Sequence, residues 1–186
     1  MQKIINKYIK PISILLIVIG ISCVFWSVIN IKSYSTFNTK KEEKNNISIY
    51  KSYPSTGDYI GTINIPILDK TFPIYEGTGT EELKKGVGHF IDSVLPGVQD
   101  NSVLSAHRDT LFNEIWKLKT GDKIIINMDS EEFVYEVINT RIVNKNDRTV
   151  IVPTKDAILT LTTCYPFNYI GTTSERYIVS SILIND

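Results

Sequence analysis

Short runs of alternating apolar and polar residues fill the chain from Gly57 to its C-terminus. The first run places Ile63, Ile65 and Ile67 on one side of a strand, with Pro66 among the residues between them. Alternation of this kind is typical of a half-buried strand, and a proline within it favours an edge position. The same reasoning predicts strands at Tyr59–Leu68, Lys70–Tyr75, Asn101–His107, Lys123–Met128, Glu132–Val143, Ala157–Cys164 and Arg176–Ile184.

Two short helices are predicted between these strands. The first is Thr78–Lys85, because Thr78 and Glu81 have the spacing of a capping box and Gly86 follows as a stop signal. The second is Thr110–Lys119, in which apolar residues recur at helical spacing. Those residues are Leu111, Ile115 and Leu118. A mainly β domain with many short strands and two or so small helices favours a closed barrel or a sandwich.

A different pattern occupies the N-terminal part of the chain. Pro11–Ile31 is a run of 21 residues without a charged side chain. As a helix it would be about 30 Å long, which is the thickness of the hydrocarbon core of a bilayer. A buried helix of a soluble domain would normally show a polar face, whereas this run has only scattered Ser and Asn. The pattern therefore predicts one N-terminal transmembrane helix.

This run divides the chain into four predicted parts. Residues 1–10 form a short cytoplasmic tail, 11–31 a transmembrane signal-anchor, 32–56 a polar stalk and 57–186 the folded β-rich domain. No A-x-A-like cleavage site follows the run, since the alanines of the chain are Ala106 and Ala157. A short tail before a large folded domain favours a cytoplasmic N-terminus. We therefore expect a single-pass protein of the cell membrane whose folded domain, 57–186, is extracellular.

Composition narrows the range of functions that the chain could have. Twenty Lys and Arg residues balance twenty Asp and Glu residues, so net charge gives no support to nucleic-acid binding. Of the two cysteines, Cys23 lies in the apolar run and Cys164 in the domain, which therefore can form no disulfide within itself. In an oxidising compartment an unpaired thiol is a liability unless its reactivity is used.

Strand alternation places Cys164 on the less apolar face of its segment. Leu159 and Leu161 lie on one side of Ala157–Cys164, and Cys164 shares the other side with threonines. A structural cysteine would favour the leucine side, because a free cysteine behaves as a small hydrophobic residue. His107 likewise ends its own segment on the less apolar side. The two reactive side chains are therefore expected to face a groove.

A thiol, an imidazole and a guanidinium can together attack a carbonyl and hold the resulting oxyanion. His107 would raise the thiolate fraction of Cys164 and then protonate the leaving amine. Arg176 cannot act as a base, because guanidinium stays charged, but it can hydrogen-bond the oxyanion together with a backbone N–H near Tyr165. The combination predicts a cysteine acyl-transfer enzyme.

Each of these residues also has a simpler interpretation. Cys164 could be inert, and Arg176 could be a solvated charge at the start of a strand. His89, the other histidine, lies in a turn-like segment where a structural hydrogen-bonding role is favoured. Asp109 could orient His107, but it is at least as well placed to cap the following helix.

Three segments of the chain resemble the sortases, the cysteine transpeptidases of Gram-positive cell surfaces. The first is GHFIDSVLP at Gly88–Pro96, which leads into SVLSAHRDT at Ser102–Thr110. The second is TLTTC at Thr160–Cys164, and the third is SERYIV, which contains Arg176. The run CYPF that begins at Cys164 is most similar to class D sortases. The resemblance extends from about residue 57 to the C-terminus.

The resemblance implies a sortase-type eight-stranded β-barrel with Cys164, His107 and Arg176 as catalytic residues. Sortases cleave an LPXTG-type sorting motif after its threonine and form a thioester on the cysteine. An amine of peptidoglycan, or of its lipid-linked precursor, then resolves the thioester. The implied partners are surface proteins with a C-terminal sorting signal, this amine acceptor, and membrane lipid around residues 11–31. Neither a metal nor another cofactor is expected, and no nucleic acid.

The resemblance also implies where the substrate binds. Lys145–Lys155 corresponds to the loop that helps to form the pocket for the leucine and proline of the motif. The apolar side chains expected to contact the substrate there are Ile151, Val152 and Pro153. Thr163 and Tyr165, on either side of Cys164, are expected to contact it as well.

Two other functions remain open on the sequence alone. The protein could be a cysteine peptidase that mainly hydrolyses, or an inactive membrane-tethered binding module. Papain-like peptidases place cysteine before histidine, and caspase-like ones have Q-A-C-x-G where this chain has TTCYP at Thr162–Pro166. The intact set of Cys164, His107 and Arg176 argues against an inactive module.

Overall fold

The computed structural model describes residues 20–22 and 53–184. Contacts divide the chain after Lys51, and Ser52–Asp186 form one compact unit. The predicted signal-anchor at 11–31, apart from the helical residues Gly20–Ser22, and most of the predicted stalk lie outside the described residues. Within residues 20–22 and 53–184, helices of membrane-spanning length and apolarity are absent.

Eight strands close into a barrel in the order β1-β2-β3-β4-β7-β8-β6-β5. Their bounds are β1 Tyr59–Ile65, β2 Lys70–Glu76, β3 Val87–His89, β4 Asp100–Ser105, β5 Lys123–Met128, β6 Glu131–Asn144, β7 Ala157–Tyr165 and β8 Glu175–Leu183. The β2–β3 and β4–β7 pairs are parallel, and the other pairs are antiparallel. Of the two architectures left open by the sequence, the closed barrel is confirmed.

Alternation along the strands fills the barrel with aliphatic side chains. Ile63 and Ile65 of β1 are fully buried, as are Leu159 and Leu161 of β7. Each such side chain contributes about 1.5–3 kcal/mol through removal from water, so these strands are stabilised chiefly by their inward faces. The outward faces are left to polar residues and to the functional site.

The first predicted strand is too long, and its predicted edge position is wrong. β1 ends at Ile65, because Pro66 begins a 3-10 helix, Pro66–Leu68, where its fixed φ and missing N–H are tolerated. Ile67 therefore leaves the barrel face and is exposed. β1 pairs with both β2 and β5, so it has no open edge.

The first predicted helix is confirmed, with a different N-terminus. The helix α1 spans Thr80–Lys85, and Gly79 is its N-cap without any side-chain hydrogen bond. Thr78 therefore does not cap it, and the predicted capping box is wrong. Gly86 ends the helix as predicted, and its N–H donates to the carbonyl of Glu82.

The second predicted helix, Thr110–Lys119, is wrong. The segment consists of turns and one 3-10 helix, Ile115–Lys117. Burial explains the difference, because Phe112 is fully buried along with Ile115 and does not fit the predicted helical stripe. Packing against the barrel has overridden a weak helical period.

The turn-like segment that contains His89 forms a three-residue strand. β3 pairs with β2 and β4, and His89 is fully buried. Its Nδ1 lies 2.8 Å from Glu76 Oε2, and its Nε2 lies 2.9 Å from the carbonyl oxygen of Val94. Ser93 Oγ lies 3.1 Å from the same Nε2. These contacts agree with the structural role favoured by the sequence.

Ionisation of Tyr135 of β6 is expected to lower the stability of the barrel at alkaline pH, and this effect can be measured. Its side chain is fully buried and its hydroxyl accepts a hydrogen bond of 2.7 Å from the N–H of Gly97. Burial raises the pKa of Tyr135 to about 12, which the N–H of Gly97 partly offsets. The pKa of Tyr135 is higher in the folded state than in the unfolded state, so the protonated side chain stabilises the fold fully below pH 10. This stabilisation is lost as the pH rises towards 12.

We therefore expect Tyr135→Phe to change the pH dependence of the free energy of unfolding. At pH 7 the variant should lose about 1 kcal/mol, because Gly97 loses its acceptor. Between pH 10 and 12 the wild-type protein should lose roughly 2–3 kcal/mol that the variant keeps. Urea unfolding at both pH values measures this. An equal stability difference at pH 7 and pH 12 would reject the assignment.

Candidate active site

Cys164 is the next-to-last residue of β7, and its thiol is free. Leu159 and Leu161 point into the barrel and are fully buried, whereas Cys164 is partly exposed. The thiol therefore lies on the outer face of the strand, as the alternation predicts. A cysteine that served only to fill the core would lie among the leucines.

Parallel pairing of β4 with β7 brings His107 beside Cys164. The register pairs Ser105 with Thr162, and the N–H of Ala106 donates to the carbonyl of Thr162 at 3.3 Å. Two residues further along each chain come His107 and Cys164, which line the same cavity. His107 is exposed, so its imidazole is accessible to a substrate.

The structure corrects the predicted strand that His107 was expected to end. β4 stops at Ser105, and His107 lies in the segment that follows. Its backbone is held by two hydrogen bonds, since its carbonyl accepts from the N–H groups of Thr110 and Phe112 at 3.4 and 3.1 Å. The turns that replace the predicted helix thus fix the backbone that carries the imidazole.

Arg176 lies directly opposite Cys164 in the antiparallel β7–β8 pair. Opposed residues share a face of the sheet, with Cα atoms about 4.5–5.5 Å apart. Its Nη1 donates to the carbonyls of Glu175 and Thr173 at 2.8 and 3.3 Å. A guanidinium has five N–H donors, so three remain to bind a substrate oxygen. Cys164 is therefore flanked by His107 on one side and Arg176 on the other.

A cavity of about 540 Å³ opens beside the thiol. One wall is the segment that follows β4, and the other is the loop between β7 and β8. The lining residues are His107, Arg108, Asp109, Cys164, Phe167, Asn168, Tyr169, Ile170 and Gly171. Thiol and imidazole thus share one open space of substrate size.

Asp109 lines this cavity, but the prediction that it caps a helix is wrong. No α-helix begins after it in the described part of the chain, because residues 110–114 form turns. The side chain is exposed. It is thus a carboxylate on the wall that also carries His107.

The loop between β6 and β7 is held by the side chains of three consecutive residues at the start of β4. Asn101 donates to the carbonyl of Val150 at 3.0 Å, and Asp100 accepts from the N–H of Thr154 at 2.7 Å. Gln99 donates to the carbonyl of Lys155 at 2.5 Å. Nothing in the sequence pattern identified these anchors, because each depends on contacts with a distant loop.

Three exposed apolar side chains project from this loop. Ile151 is 48% exposed and Val152 is 41% exposed, and Pro153 is exposed beside them. Near them, hydrogen bonds from the Thr149 hydroxyl and then from its N–H lower the pKa of Asp147. That carboxylate closes a tight turn within the loop, and the apolar residues that follow are left facing solvent.

Thr163 and Tyr165 lie on the face of β7 opposite Cys164. Thr163 is 2% exposed, and its hydroxyl donates to the carbonyl of Ala106 at 2.7 Å. This bond ties β7 to the residue before His107. Tyr165 packs against the rings of Phe167 and Tyr177, whose centroids lie 5.9 and 6.4 Å away. Both residues hold the surroundings of the thiol in place.

The described residues 20–22 and 53–184 contain no group of three or more His, Cys, Asp or Glu side chains placed to hold a metal ion. Cys164 and His107 line the cavity, and Arg176, which is not among the lining residues, lies opposite Cys164 in the β7–β8 pair. Such a set can carry out acyl transfer through a covalent intermediate.

Comparison with known proteins agrees with this class of chemistry. Residues 63–183 match the Sortase domain family. The chain is 41% identical over 145 residues to Sortase D of Bacillus subtilis (strain 168), which covers 77% of this chain and 72% of that protein. It is 34% identical over 109 residues to Sortase A of Listeria monocytogenes serovar 1/2a, which covers 56% of this chain and about half, 49%, of that protein.

Solved structures show the same fold. Sortase C from Clostridium perfringens SM101 has a TM-score of 0.66 at 32% identity, over 85% of this chain and 87% of that one. Sortase A from Corynebacterium diphtheriae has a TM-score of 0.65 at 31% identity, over 70% of this chain and 63% of that one.

The barrel and its cysteine thus define a cysteine transpeptidase. The chain belongs to the sortase family, and the resemblance found in its sequence is confirmed. Sortases anchor proteins to the cell wall and are generally membrane-associated enzymes of the cell surface.

Proposed function

We propose that this protein cleaves an LPXTG-type sorting motif after its threonine and transfers the protein to an amine of cell-wall peptidoglycan. The observation that carries the proposal is that Cys164 lies opposite Arg176 in the β7–β8 pair and shares a cavity with His107. The thiol opens onto a cavity that the imidazole also lines. This is the set of groups that a thioester mechanism requires.

In the first half of the proposed reaction, Cys164 forms a bond to the carbonyl carbon of the motif threonine. His107 takes the thiol proton, and the thiolate adds to the carbonyl, which moves the π electrons onto oxygen. When the carbonyl re-forms, the C–N bond to the next residue breaks. The departing nitrogen receives the proton from His107 and leaves as an amine. The enzyme is left with a thioester.

In the second half, an amine of peptidoglycan or of its lipid-linked precursor attacks the thioester. His107 now takes a proton from the attacking nitrogen, and the C–S bond breaks as the new amide forms. The proton returns to the sulfur of Cys164. The net reaction exchanges one amide for another, so no reductant, oxidant or energy source is needed.

Arg176 is proposed to bind the oxygen that becomes negative in both tetrahedral intermediates. Its Nη1 is already held by Glu175 and Thr173, which fixes the plane of the guanidinium. The donors of Nε and Nη2 can then point at the oxyanion without further ordering. Donors that are oriented before the reaction begins contribute most to transition-state stabilisation.

The β6–β7 loop is proposed to bind the leucine and proline of the motif. Ile151, Val152 and Pro153 are exposed apolar side chains, which would lose contact with water when the motif binds. Tyr165 is partly exposed next to the thiol and offers a further contact. Thr163 has a buried side chain, so its proposed contact with substrate is through the backbone.

The location is proposed from the sequence. Residues 11–31 would hold the enzyme in the cell membrane, with the N-terminus cytoplasmic and the catalytic domain outside. Its partners would be surface proteins that carry a C-terminal sorting signal. A hydrolase that uses the same thioester is the competing function, since water could replace the amine.

Mass spectrometry of the products decides between transfer and hydrolysis. The purified full chain is incubated with an LPXTG peptide, with and without an amine acceptor such as a glycine oligopeptide or a peptidoglycan stem peptide. We expect a new product whose mass equals the cleaved peptide joined to the acceptor. Acceptor-independent release of a free carboxylate as the sole product would establish a peptidase. Absence of any cleavage would reject the proposed substrate.

A further inference from the structure

Arg108 is a buried cation that the proposed chemistry does not use. It follows His107 directly and is 9% exposed. Within residues 20–22 and 53–184 its guanidinium forms no ion pair with a carboxylate. A buried charge is costly unless several hydrogen bonds compensate for it. The groups that compensate for Arg108 all belong to one loop.

The β7–β8 loop, residues 166–174, supplies every one of these contacts. Nη2 of Arg108 donates to the carbonyls of Tyr169 and Gly171, both at 2.7 Å. Nη1 donates to the hydroxyl of Thr173 at 3.3 Å. The guanidinium carbon also lies 5.7 Å from the centre of the Tyr169 ring, in the range of a cation–π contact.

The loop has few other restraints over this stretch. The β7–β8 ladder ends at the pair of Tyr165 with Glu175, so residues 166–174 are outside it. Phe167 is held at one end by the ring of Tyr177, 5.3 Å away. At the other end, Nη1 of Arg176 donates to the carbonyl of Thr173, and the N–H of Lys145 donates to the carbonyl of Ser174. Residues 168–172, between these two ends, are exposed, and Ile170 is fully exposed. Arg108 is what fixes the middle of the loop.

The position of this loop determines the shape of the cavity beside the thiol. Phe167 to Gly171 form one wall, and His107 to Asp109 form the other. Arg108 belongs to the second wall and is bonded to the first. The guanidinium therefore sets the separation between the wall that carries the imidazole and the wall that faces it.

We infer that Arg108 is a positioning residue for the transpeptidation reaction, which holds the β7–β8 loop against the His107 segment so that the cavity at Cys164 has its working shape before substrate arrives. The inference rests on the proposed function for its catalytic consequence. Its structural part, the fixing of the loop, stands on the contacts alone. A misplacement of about 1 Å in a reacting group or its surroundings can cost about 100-fold in rate.

The test compares Arg108→Gln and Arg108→Lys in the full chain with a matched control, Lys123→Gln. The control removes a cation that pairs with Glu136 across β5 and β6, away from the cavity. Hydrogen exchange measured by mass spectrometry reports on the loop. The kcat and KM for an LPXTG peptide report on catalysis. A second, substrate-independent probe is the alkylation of Cys164 by a small reagent, iodoacetamide, relative to a bulky polyethylene-glycol maleimide.

We expect Arg108→Gln to speed exchange in residues 166–174 by about tenfold or more, with barrel exchange unchanged. Its kcat/KM should fall roughly 10–100-fold. The rate at which the bulky reagent alkylates Cys164 should rise relative to the rate of the small one. Arg108→Lys should keep part of each property, because an ammonium can reach one carbonyl but lacks the planar fork. Lys123→Gln should match the wild type. Should Arg108→Gln fail to fold, Arg108→Lys against the control decides by the same measurements.

Two results would overturn the inference. One is unchanged loop exchange in the folded arginine variants, and the other is a loosened loop with normal kcat/KM. If the wild-type chain turns over no LPXTG peptide, the proposed function fails instead. Loop exchange and the ratio of the two alkylation rates then still decide whether Arg108 holds the wall.

Discussion

The full chain carrying Cys164→Ala should release no cleaved LPXTG peptide, a loss of at least about 10⁴-fold in kcat/KM. Removing the nucleophile removes the covalent route altogether, and what remains is the small contribution of binding and oxyanion stabilisation. The thiol is partly exposed and lies outside the leucine-filled interior. We therefore expect the free energy of unfolding to change by less than about 1 kcal/mol.

The chain offers a matched control in Cys23→Ala, which removes the second cysteine and leaves the domain unaltered. Full activity is expected in that variant, and in the wild-type protein the thiol of Cys23 should not form the acyl adduct. Mass spectrometry of the wild-type protein during turnover should show one acyl group, attached to a peptide that contains Cys164. Cleavage at the wild-type rate by Cys164→Ala, or an adduct elsewhere, would remove the assignment of the nucleophile.

Arg176→Lys should lower kcat roughly 100–1,000-fold with little change in stability. Lysine keeps the charge but replaces five donors in a plane with three on a flexible stem. It cannot hold Glu175 and Thr173 while donating to an oxyanion from the same group. The loss should fall mainly on kcat, because the interaction strengthens as negative charge develops on the substrate oxygen.

Arg141→Lys is the control for this prediction. Arg141 lies on β6, which pairs with the strand of Arg176, and like Arg176 it donates to a backbone carbonyl of a loop, that of Thr149 at 3.2 Å. Its kcat should stay within about twofold of the wild type. A near-wild-type kcat in Arg176→Lys would contradict the oxyanion role. A collapse of thermal stability in that variant would make Arg176 a structural residue.

The strands of this protein could be predicted where inward-facing apolar residues alternate with outward-facing residues that are more exposed. β5 was predicted with its observed bounds, since Ile124, Ile126 and Met128 alternate with residues that are more exposed. β3 was missed, because three residues are too few to show a period. Thr110–Lys119 was predicted as a helix because its apolar residues recur at helical spacing. The prediction failed because Phe112, which lies outside that spacing, is buried as well.

The candidate site could be predicted in part for the same reason. Alternation alone placed Cys164 on the outer face of its segment, and the structure confirms this. His107 is exposed, but it follows the end of β4 and so has no strand face. Their proximity could not be read from alternation, since it depends on the parallel pairing of β4 with β7. The loop anchors Asn101 and Arg108 were missed for a related reason. Their hydrogen bonds go to backbone carbonyls, which any residue type provides.

The parallel pairing of β4 with β7 has a consequence for how the activity arises during folding. Parallel neighbours cannot be joined by a tight turn, and here β5 and β6 lie between them in the chain. Ala106 and Thr163, which bond next to the imidazole and the sulfur, are 57 positions apart. Contacts of such separation form late, because the intervening chain must be ordered first. The sulfur and the imidazole therefore come together only in molecules in which the β4–β7 pair has formed.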